Sequence, residues 1–128
     1  MLLWLACHSS SPIPSEAPPP SPPLLAHIER RTAGAGDDAP IIVALHGLGD
    51  SPEGFQGLIA DFPLPARFIL PAGPHPRGDG HSWFPYPPRD DAHLAEELAS
   101  SAEAVAQLIA SLGPPVVVTG FSQGGMLS

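Results

Sequence analysis

Positive charge is the scarcest feature of this sequence. Its 128 residues contain five arginines and no lysine against 13 acidic residues, which gives a formal net charge of −8. A nucleic-acid-binding surface needs clustered cations to neutralise phosphates, and electrostatic attachment to an anionic membrane needs the same. The composition therefore argues against both kinds of partner and favours solubility of the chain.

Cysteine occurs once, at Cys7, which excludes an internal disulfide and a cysteine-rich metal site. Residues 1–7 read MLLWLAC, a short apolar run with a small residue before the cysteine. This run resembles the end of a bacterial lipoprotein signal, and we predict lipidation at Cys7. The alternative is an unmodified N terminus with a free thiol. Incorporation of a labelled lipid that is lost on Cys7→Ser would distinguish the two.

Serine and proline dominate residues 8–23, which offer no apolar face for burial. Such a composition favours extended polyproline conformations and predicts a linker outside the fold, with a PxxP-type ligand as the alternative. A linker behind a lipid anchor suits a protein of the bacterial cell envelope, held at the membrane only through Cys7, or a secreted protein. Without the anchor, we expect a cytoplasmic protein.

A folded domain is predicted over residues 24–128, where apolar runs alternate with turn residues. Three short apolar runs are typical of strands buried on both faces, and a loosely alternating segment precedes them as an edge strand. The edge strand is predicted at 24–31 and the buried strands at 41–45, 67–70 and 116–119.

Helical signals fall between these strands. Ser51 followed by proline predicts a helix that runs to about Asp61. A second amphipathic helix is predicted to begin after Asp90 or Asp91 and to end at Leu112, before Gly and two prolines. Residues 71–89 are predicted to form a long loop. The strand–helix alternation indicates an α/β fold with a mostly parallel sheet and helices on both faces.

The strongest chemical signal is the segment Gly120-Phe121-Ser122-Gln123-Gly124, which matches G-x-S-x-G directly after the third buried run. In this motif the glycines let the backbone turn sharply, so that the serine hydroxyl projects above the sheet. The residues that follow can start a helix, whose positive end favours developing negative charge. We therefore predict Ser122 as a nucleophile.

A second loop, His46-Gly47-Leu48-Gly49-Asp50, follows the first buried run. In α/β hydrolases the loop at this place supplies one oxyanion-hole N–H, and the residue after the nucleophile supplies the other. We accordingly predict an oxyanion hole made by the backbone N–H groups of Leu48 and Gln123. For this loop taken alone, the alternative is an ordinary strand-to-helix turn.

The segments LHGLGD, SWF and GFSQGGMLS together resemble the phospholipase/carboxylesterase family, which includes the acyl-protein thioesterases. The resemblance covers residues 41–128. It implies an α/β-hydrolase fold and hydrolysis of a small carboxylic ester or acyl thioester, through an acyl-enzyme on Ser122, without metal or organic cofactor. It also places Trp83 and Phe84 near the acyl site as substrate-lining residues, with loop-anchoring hydrophobes as the alternative.

The resemblance further implies a Ser-His-Asp triad, whose acid and base follow the serine along the chain in this fold. No Asp or His follows Ser122 in these 128 residues. We therefore expect a fold truncated after the nucleophile elbow, with both partners beyond residue 128, and a chain that by itself is inactive and poorly stable. For His46 we expect a structural hydrogen bond, and for His75, His81 and His93 solvated surface positions.

Two alternatives to this function stay open at this point. A polyester depolymerase or feruloyl-esterase-like hydrolase would use the same fold and nucleophile with a different cleft. A non-catalytic remnant or surface-tethered binding module would keep the fold without the reaction.

Overall fold

A computed structural model of the protein describes residues 23–128, together with Pro12, Ala17 and Pro18. The predicted signal remnant at 1–7, which includes the predicted lipidation site Cys7, lies outside the described residues. So does most of the predicted linker at 8–23. The predictions for these segments therefore stay predictions.

The described chain forms six strands, two α-helices and two short 3-10 helices, and strands and helices alternate for most of its length. In chain order they are β1 His27–Arg31, β2 Ile41–Leu45, α1 Pro52–Phe55, a 3-10 helix Gln56–Ile59, β3 Arg67–Pro71, β4 His75–Arg77, β5 Gly80–Ser82, α2 Asp91–Leu112, β6 Val116–Gly120 and a 3-10 helix Gly124–Met126.

The main sheet has the strand order β1-β3-β2-β6. Strand β2 runs parallel to both β3 and β6, whereas β1 pairs antiparallel with β3. The predicted mostly parallel sheet is confirmed, and the predicted buried strands match β2, β3 and β6 to within one residue. Because Leu45 pairs with Gly120 at the ends of their strands, the loops that follow β2 and β6 leave the sheet side by side.

Side chains along a strand alternate between the two faces of the sheet, so these apolar strands present apolar side chains on both faces. Helices cover both faces. Val43, Leu45 and Ile69 point to the face where α2 packs. Ala44 and Phe68 point to the opposite face, where α1 and the following 3-10 helix pack. The α/β architecture with helices on both faces is therefore confirmed.

The first helix is shorter than predicted. Ser51 caps it as expected, since its hydroxyl accepts a hydrogen bond of 3.0 Å from the N–H of Gly54. However, α1 ends at Phe55 and continues only as a 3-10 helix to Ile59. Glycines at 54 and 57 weaken an α-helix, because glycine loses more backbone entropy than other residues on folding.

The second helix has the predicted bounds. The Asp90 carboxylate caps its start by accepting a hydrogen bond of 2.7 Å from the N–H of His93. Gly113 ends it with a φ of +77°, a conformation that glycine adopts without a side-chain penalty. The apolar residues predicted on one helix face pack against the core, where Ser101, Val105 and Leu108 are buried.

The prediction of an irregular loop over residues 71–89 is wrong in one part, because β4 and β5 form an antiparallel hairpin there. Gly78 and Asp79 connect the strands, and Gly78 has a φ of +58°. A Gly-Asp pair is a known signal for a two-residue hairpin turn. The hairpin matters for the site, since His81 pairs through its backbone with Gly49 and Asp50 at 2.8 Å each.

Strand β6 lies at one edge of the described sheet. Two apolar side chains beside this edge are largely open to solvent: Val117 is 59% exposed and Phe121 is 63% exposed.

None of the helices in the described part of the chain is long and apolar enough to cross a membrane.

Candidate active site

The turn after β6 is sharply bent at Ser122. With a φ of +52°, Ser122 is the one non-glycine residue of the described chain that has a positive φ. The glycines on either side make this bend sterically feasible. A Cβ on Gly120 would lie 2.3 Å from the carbonyl carbon of Gly124, and a Cβ on Gly124 would lie 2.2 Å from the carbonyl oxygen of Leu45. A 3-10 helix begins directly after the bend.

The loop after β2 lies against this bend. The N–H of Phe121 donates a hydrogen bond of 3.0 Å to the carbonyl of Leu45, which fixes the bend beside the end of β2. A Cβ on Gly47 would lie 3.5 Å from the Cβ of Ser122 and 3.2 Å from the ring of Phe121. A side chain at residue 47 would therefore make ordinary contact with Ser122 and press slightly on the ring of Phe121.

Leu48, Ser122 and Gln123 line one open cavity of about 640 Å³. Among the hydrogen bonds formed within the described residues, none uses the backbone N–H of Leu48 or of Gln123 as its donor. Buried backbone donors without a protein partner are uncommon, and two such N–H groups beside the predicted nucleophile would suit a developing oxyanion. The structure thus brings together the three residues that the two sequence motifs predict for the reaction.

His46 lies fully buried beneath the loop and forms two hydrogen bonds. Its Nε2 accepts a hydrogen bond of 3.0 Å from the N–H of Gly73, so the neutral ring carries its proton on Nδ1. That Nδ1 donates to the carbonyl of Gly47 at 2.7 Å. In a trans peptide the C=O and the next N–H point in opposite directions. Holding the Gly47 carbonyl against His46 therefore directs the N–H of Leu48 away from the ring.

Burial lowers the pKa of His46 below its ordinary value, and the hydrogen bond to Gly47 offsets this only in part. The folded state therefore resists protonation of His46 more than the unfolded state does. The contribution of neutral His46 to stability is complete above the unfolded-state pKa of about 6.5 and is lost as the pH falls below it. The loss continues until the pH reaches the lower pKa of the folded state.

We predict that His46→Gln flattens the dependence of unfolding free energy on pH below about 6.5. A glutamine oxygen can accept from the N–H of Gly73 without titrating in this range. As the pH falls, the free energy of unfolding of the wild-type protein should decrease by up to about 1.4 kcal/mol per pH unit because of this group, and that of the variant should not. Urea unfolding at a series of pH values measures this difference.

His27 provides the matched control, since it is exposed on β1. His27→Gln should leave the pH dependence as it is in the wild-type protein. Equal slopes for His46→Gln and the wild-type protein would show that the buried ring does not control stability in this range.

None of the other histidines in residues 23–128 lines the cavity. His75 Nε2 lies 2.8 Å from Glu97 Oε2, and His93 Nε2 lies 3.7 Å from Glu97 Oε1. The expectation of solvated surface positions is therefore wrong for these two, which are half-buried around one carboxylate, and for His81 as well. The His81 ring lies 6.3 Å from that of His46 and is also half-buried.

Within residues 23–128, no group of three or more His, Cys, Asp and Glu side chains could hold a metal ion.

The two aromatic residues predicted at the acyl site take different places. Phe84 lines the cavity with Ser122. Trp83 is fully buried, does not line the cavity, and donates from its indole Nε1 to the carbonyl of His46 at 2.8 Å. Its contacts fit the loop-anchoring alternative, because they join the segment after the hairpin to the loop after β2.

The sequence patterns did not single out the other residues of the cavity wall, which are Tyr86, Pro88, Leu94 and Met126. Leu94 belongs to the apolar face of α2, where it both packs against the core and lines the cavity. Helical periodicity could identify its face. It could not show that a residue of the first turn of α2 lines the cavity.

Two of the solved structures that this protein resembles are an acyl-protein thioesterase and an esterase. It matches the crystal structure of Zea mays acyl-protein thioesterase 2 with a TM-score of 0.59 and 28% identity, over 78% of this chain and 47% of that chain. It matches the crystal structure of esterase PE8 with a TM-score of 0.57 and 25% identity, over 81% of this chain and 55% of that chain. The chain therefore spans about half the length of these structures. No curated protein sequence matches it.

A family model described as Phospholipase/Carboxylesterase matches residues 28–128, which is most of the chain. The sheet order, the bend at Ser122 and the likeness to esterase and thioesterase structures agree with this match. The chain has the α/β-hydrolase fold and belongs to the phospholipase/carboxylesterase family.

Proposed function

We propose that the protein hydrolyses carboxylic esters or acyl thioesters through an acyl-enzyme on Ser122. The observation that carries this proposal is that Ser122, Leu48 and Gln123 line one cavity, as an oxyanion hole formed by the backbone N–H groups of residues 48 and 123 would require. The family match and the esterase and thioesterase names of the solved relatives support the reaction class.

In the proposed reaction, the Oγ of Ser122 attacks the substrate carbonyl carbon while a general base takes the hydroxyl proton. The carbonyl oxygen becomes an oxyanion that accepts hydrogen bonds from the N–H groups of Leu48 and Gln123. The C–O or C–S bond then breaks, and the leaving alcohol or thiol takes up the proton. Water attacks the acyl-enzyme by the same route and releases the carboxylic acid and the free serine.

We place the general base in another part of the protein, because none of the histidines in residues 23–128 lines the cavity with Ser122. The buried His46 uses both ring nitrogens in hydrogen bonds, and His75 and His93 pair with Glu97. In this fold the acid and the histidine follow the serine along the chain. We therefore place both triad partners in a segment C-terminal to residue 128.

The cavity favours an apolar acyl group. Its wall beside Ser122 is formed mainly by aromatic and aliphatic side chains, namely Leu48, Phe84, Tyr86, Pro88, Leu94 and Met126. Burial of each methylene of an acyl chain against such a wall contributes about 0.8 kcal/mol. An acyl chain of several carbons should therefore bind better than an acetyl group.

A fluorophosphonate probe tests this proposal on the full-length gene product. We expect one covalent adduct on Ser122, located by peptide mass spectrometry, together with hydrolysis of p-nitrophenyl esters. The coding sequence after codon 128 should contain an Asp or Glu followed by a His. An intact full-length protein that neither labels nor hydrolyses any acyl ester would support the non-catalytic alternative instead.

A further inference from the structure

The side chain of Gln123 is buried and fully engaged, although it lies directly beside the proposed nucleophile. Only 5% of its surface is exposed. Its Oε1 accepts a hydrogen bond of 3.0 Å from the N–H of Trp83, and its Nε2 donates one of 3.2 Å to the carbonyl of Phe84. Both ends of the amide therefore bind the backbone of one segment that is about 40 residues away in the sequence.

That segment is held from two further directions. The indole of Trp83 donates to the carbonyl of His46 at 2.8 Å, and the hydroxyl of Ser101 on α2 donates to the carbonyl of Trp83. Trp83 thus ties together the loop after β2, the helix α2 and the bend at Ser122. Hydrogen bonds buried in a low-dielectric interior hold their partners firmly, because an unpaired buried group is costly.

Phe84 connects these hydrogen bonds to the cavity. Its carbonyl is held by Gln123, and Phe84 forms part of the cavity wall that Ser122 also lines. The amide of Gln123 therefore fixes the position of the Phe84 wall relative to the serine. A shift of this wall would alter the space for an acyl chain.

The geometry points to Gln123 as a positioning residue whose side-chain amide sets acyl-chain selectivity by holding Phe84 against the acyl chain beside Ser122. This inference rests on the proposed function for its substrate class, an apolar acyl group. It assigns the Gln123 side chain a role separate from the oxyanion-hole role of its backbone N–H.

Gln123→Met tests this role, because methionine keeps the length of the side chain but makes neither hydrogen bond. In the full-length protein we expect the ratio of kcat/KM for p-nitrophenyl octanoate to that for p-nitrophenyl acetate to fall about tenfold, mainly through KM for the octanoate. A purely structural role would lower both values alike and leave the ratio unchanged, which would overturn the inference.

Gln123→Glu provides a second variant if the methionine variant does not fold. It keeps an acceptor for the N–H of Trp83 but turns a carboxylate towards the carbonyl of Phe84, so it should lower the ratio as well. Gln107→Met is the matched control, since Gln107 bonds only to Glu103 on the surface of α2. It should leave the ratio unchanged.

A double-mutant cycle shows whether Gln123 acts through Phe84. We expect Gln123→Met to lower the octanoate-to-acetate ratio in the wild-type background but not in a Phe84→Ala background, because the positioned ring is then absent. An equal fall in both backgrounds would overturn the inference.

Fluorophosphonate labelling of the parent protein separates this inference from the proposed function. If the parent protein labels but the effects of Gln123→Met and Phe84→Ala on the ratio are additive, the proposed function stands and the role of Gln123 is rejected. If the parent protein does not label, the same cycle is measured with the dissociation constants of octanoate and butanoate. A lower octanoate-to-butanoate selectivity that depends on Phe84 would then support the positioning role, and an unchanged selectivity would reject it.

Discussion

Ser122→Gly is expected to abolish ester hydrolysis and, at the same time, to stabilise the fold. The loss of the hydroxyl in Ser122→Gly should lower kcat/KM in the full-length protein by about 10⁴-fold or more, and Ser122→Ala should lower kcat/KM to the same extent. Ser122→Gly and Ser122→Ala should differ in their free energy of unfolding. Ser122 has a φ of +52°, where a residue with a Cβ is disfavoured by about 1–2 kcal/mol and glycine is not.

Urea unfolding of the two variants measures this difference, and Ser122→Gly should be about 1 kcal/mol more stable than Ser122→Ala. Ser100, an exposed residue within α2, provides a control of opposite sign. Ser100→Gly should be less stable than Ser100→Ala by about 1 kcal/mol, because glycine is a poor helix former. If Ser122→Gly is no more stable than Ser122→Ala, the bend stores no strain at residue 122.

Gly124→Ala should disrupt the bend itself. A Cβ at this position would lie 2.2 Å from the carbonyl oxygen of Leu45 and 2.6 Å from that of His46. Both atoms belong to the backbone of β2 and its loop, so no side-chain rotation can relieve the clash. We expect a loss of about 3 kcal/mol in unfolding free energy and loss of fluorophosphonate labelling, because Ser122 and Leu48 would move apart.

Gly57→Ala is the matched control for this substitution. A Cβ at residue 57 would meet no atom within 4 Å, and its backbone does not have a positive φ. The change should therefore be neutral or stabilise the protein by about 0.5 kcal/mol, through the unfolded state. A Gly124→Ala protein that labels as fast as the Gly57→Ala protein would contradict the steric argument.

The chain order of the strands and the two loops beside Ser122 could be predicted because each depends on a local pattern. The β-branched runs at 41–45 and 116–119 define β2 and β6, and the glycines around Ser122 are needed for a bend that involves only five residues. Parallel pairing then follows from the helical crossovers, and it places the two loops at one edge of the sheet. The sequence also contains the hairpin signal at Gly78-Asp79, but within a segment so rich in Gly and Pro that a loop was the expected structure.

The sequence by itself determined the α/β fold, the nucleophile candidate and the backbone groups beside it, since short-range sterics and strand burial specify all of these. Only the tertiary structure decided that Trp83 lies behind the cavity while Phe84 lines it, and that Gln123 holds both through its side chain. Those contacts join segments about 40 residues apart, and which side chains meet across such a separation depends on how whole elements pack. No local periodicity or motif contains that information.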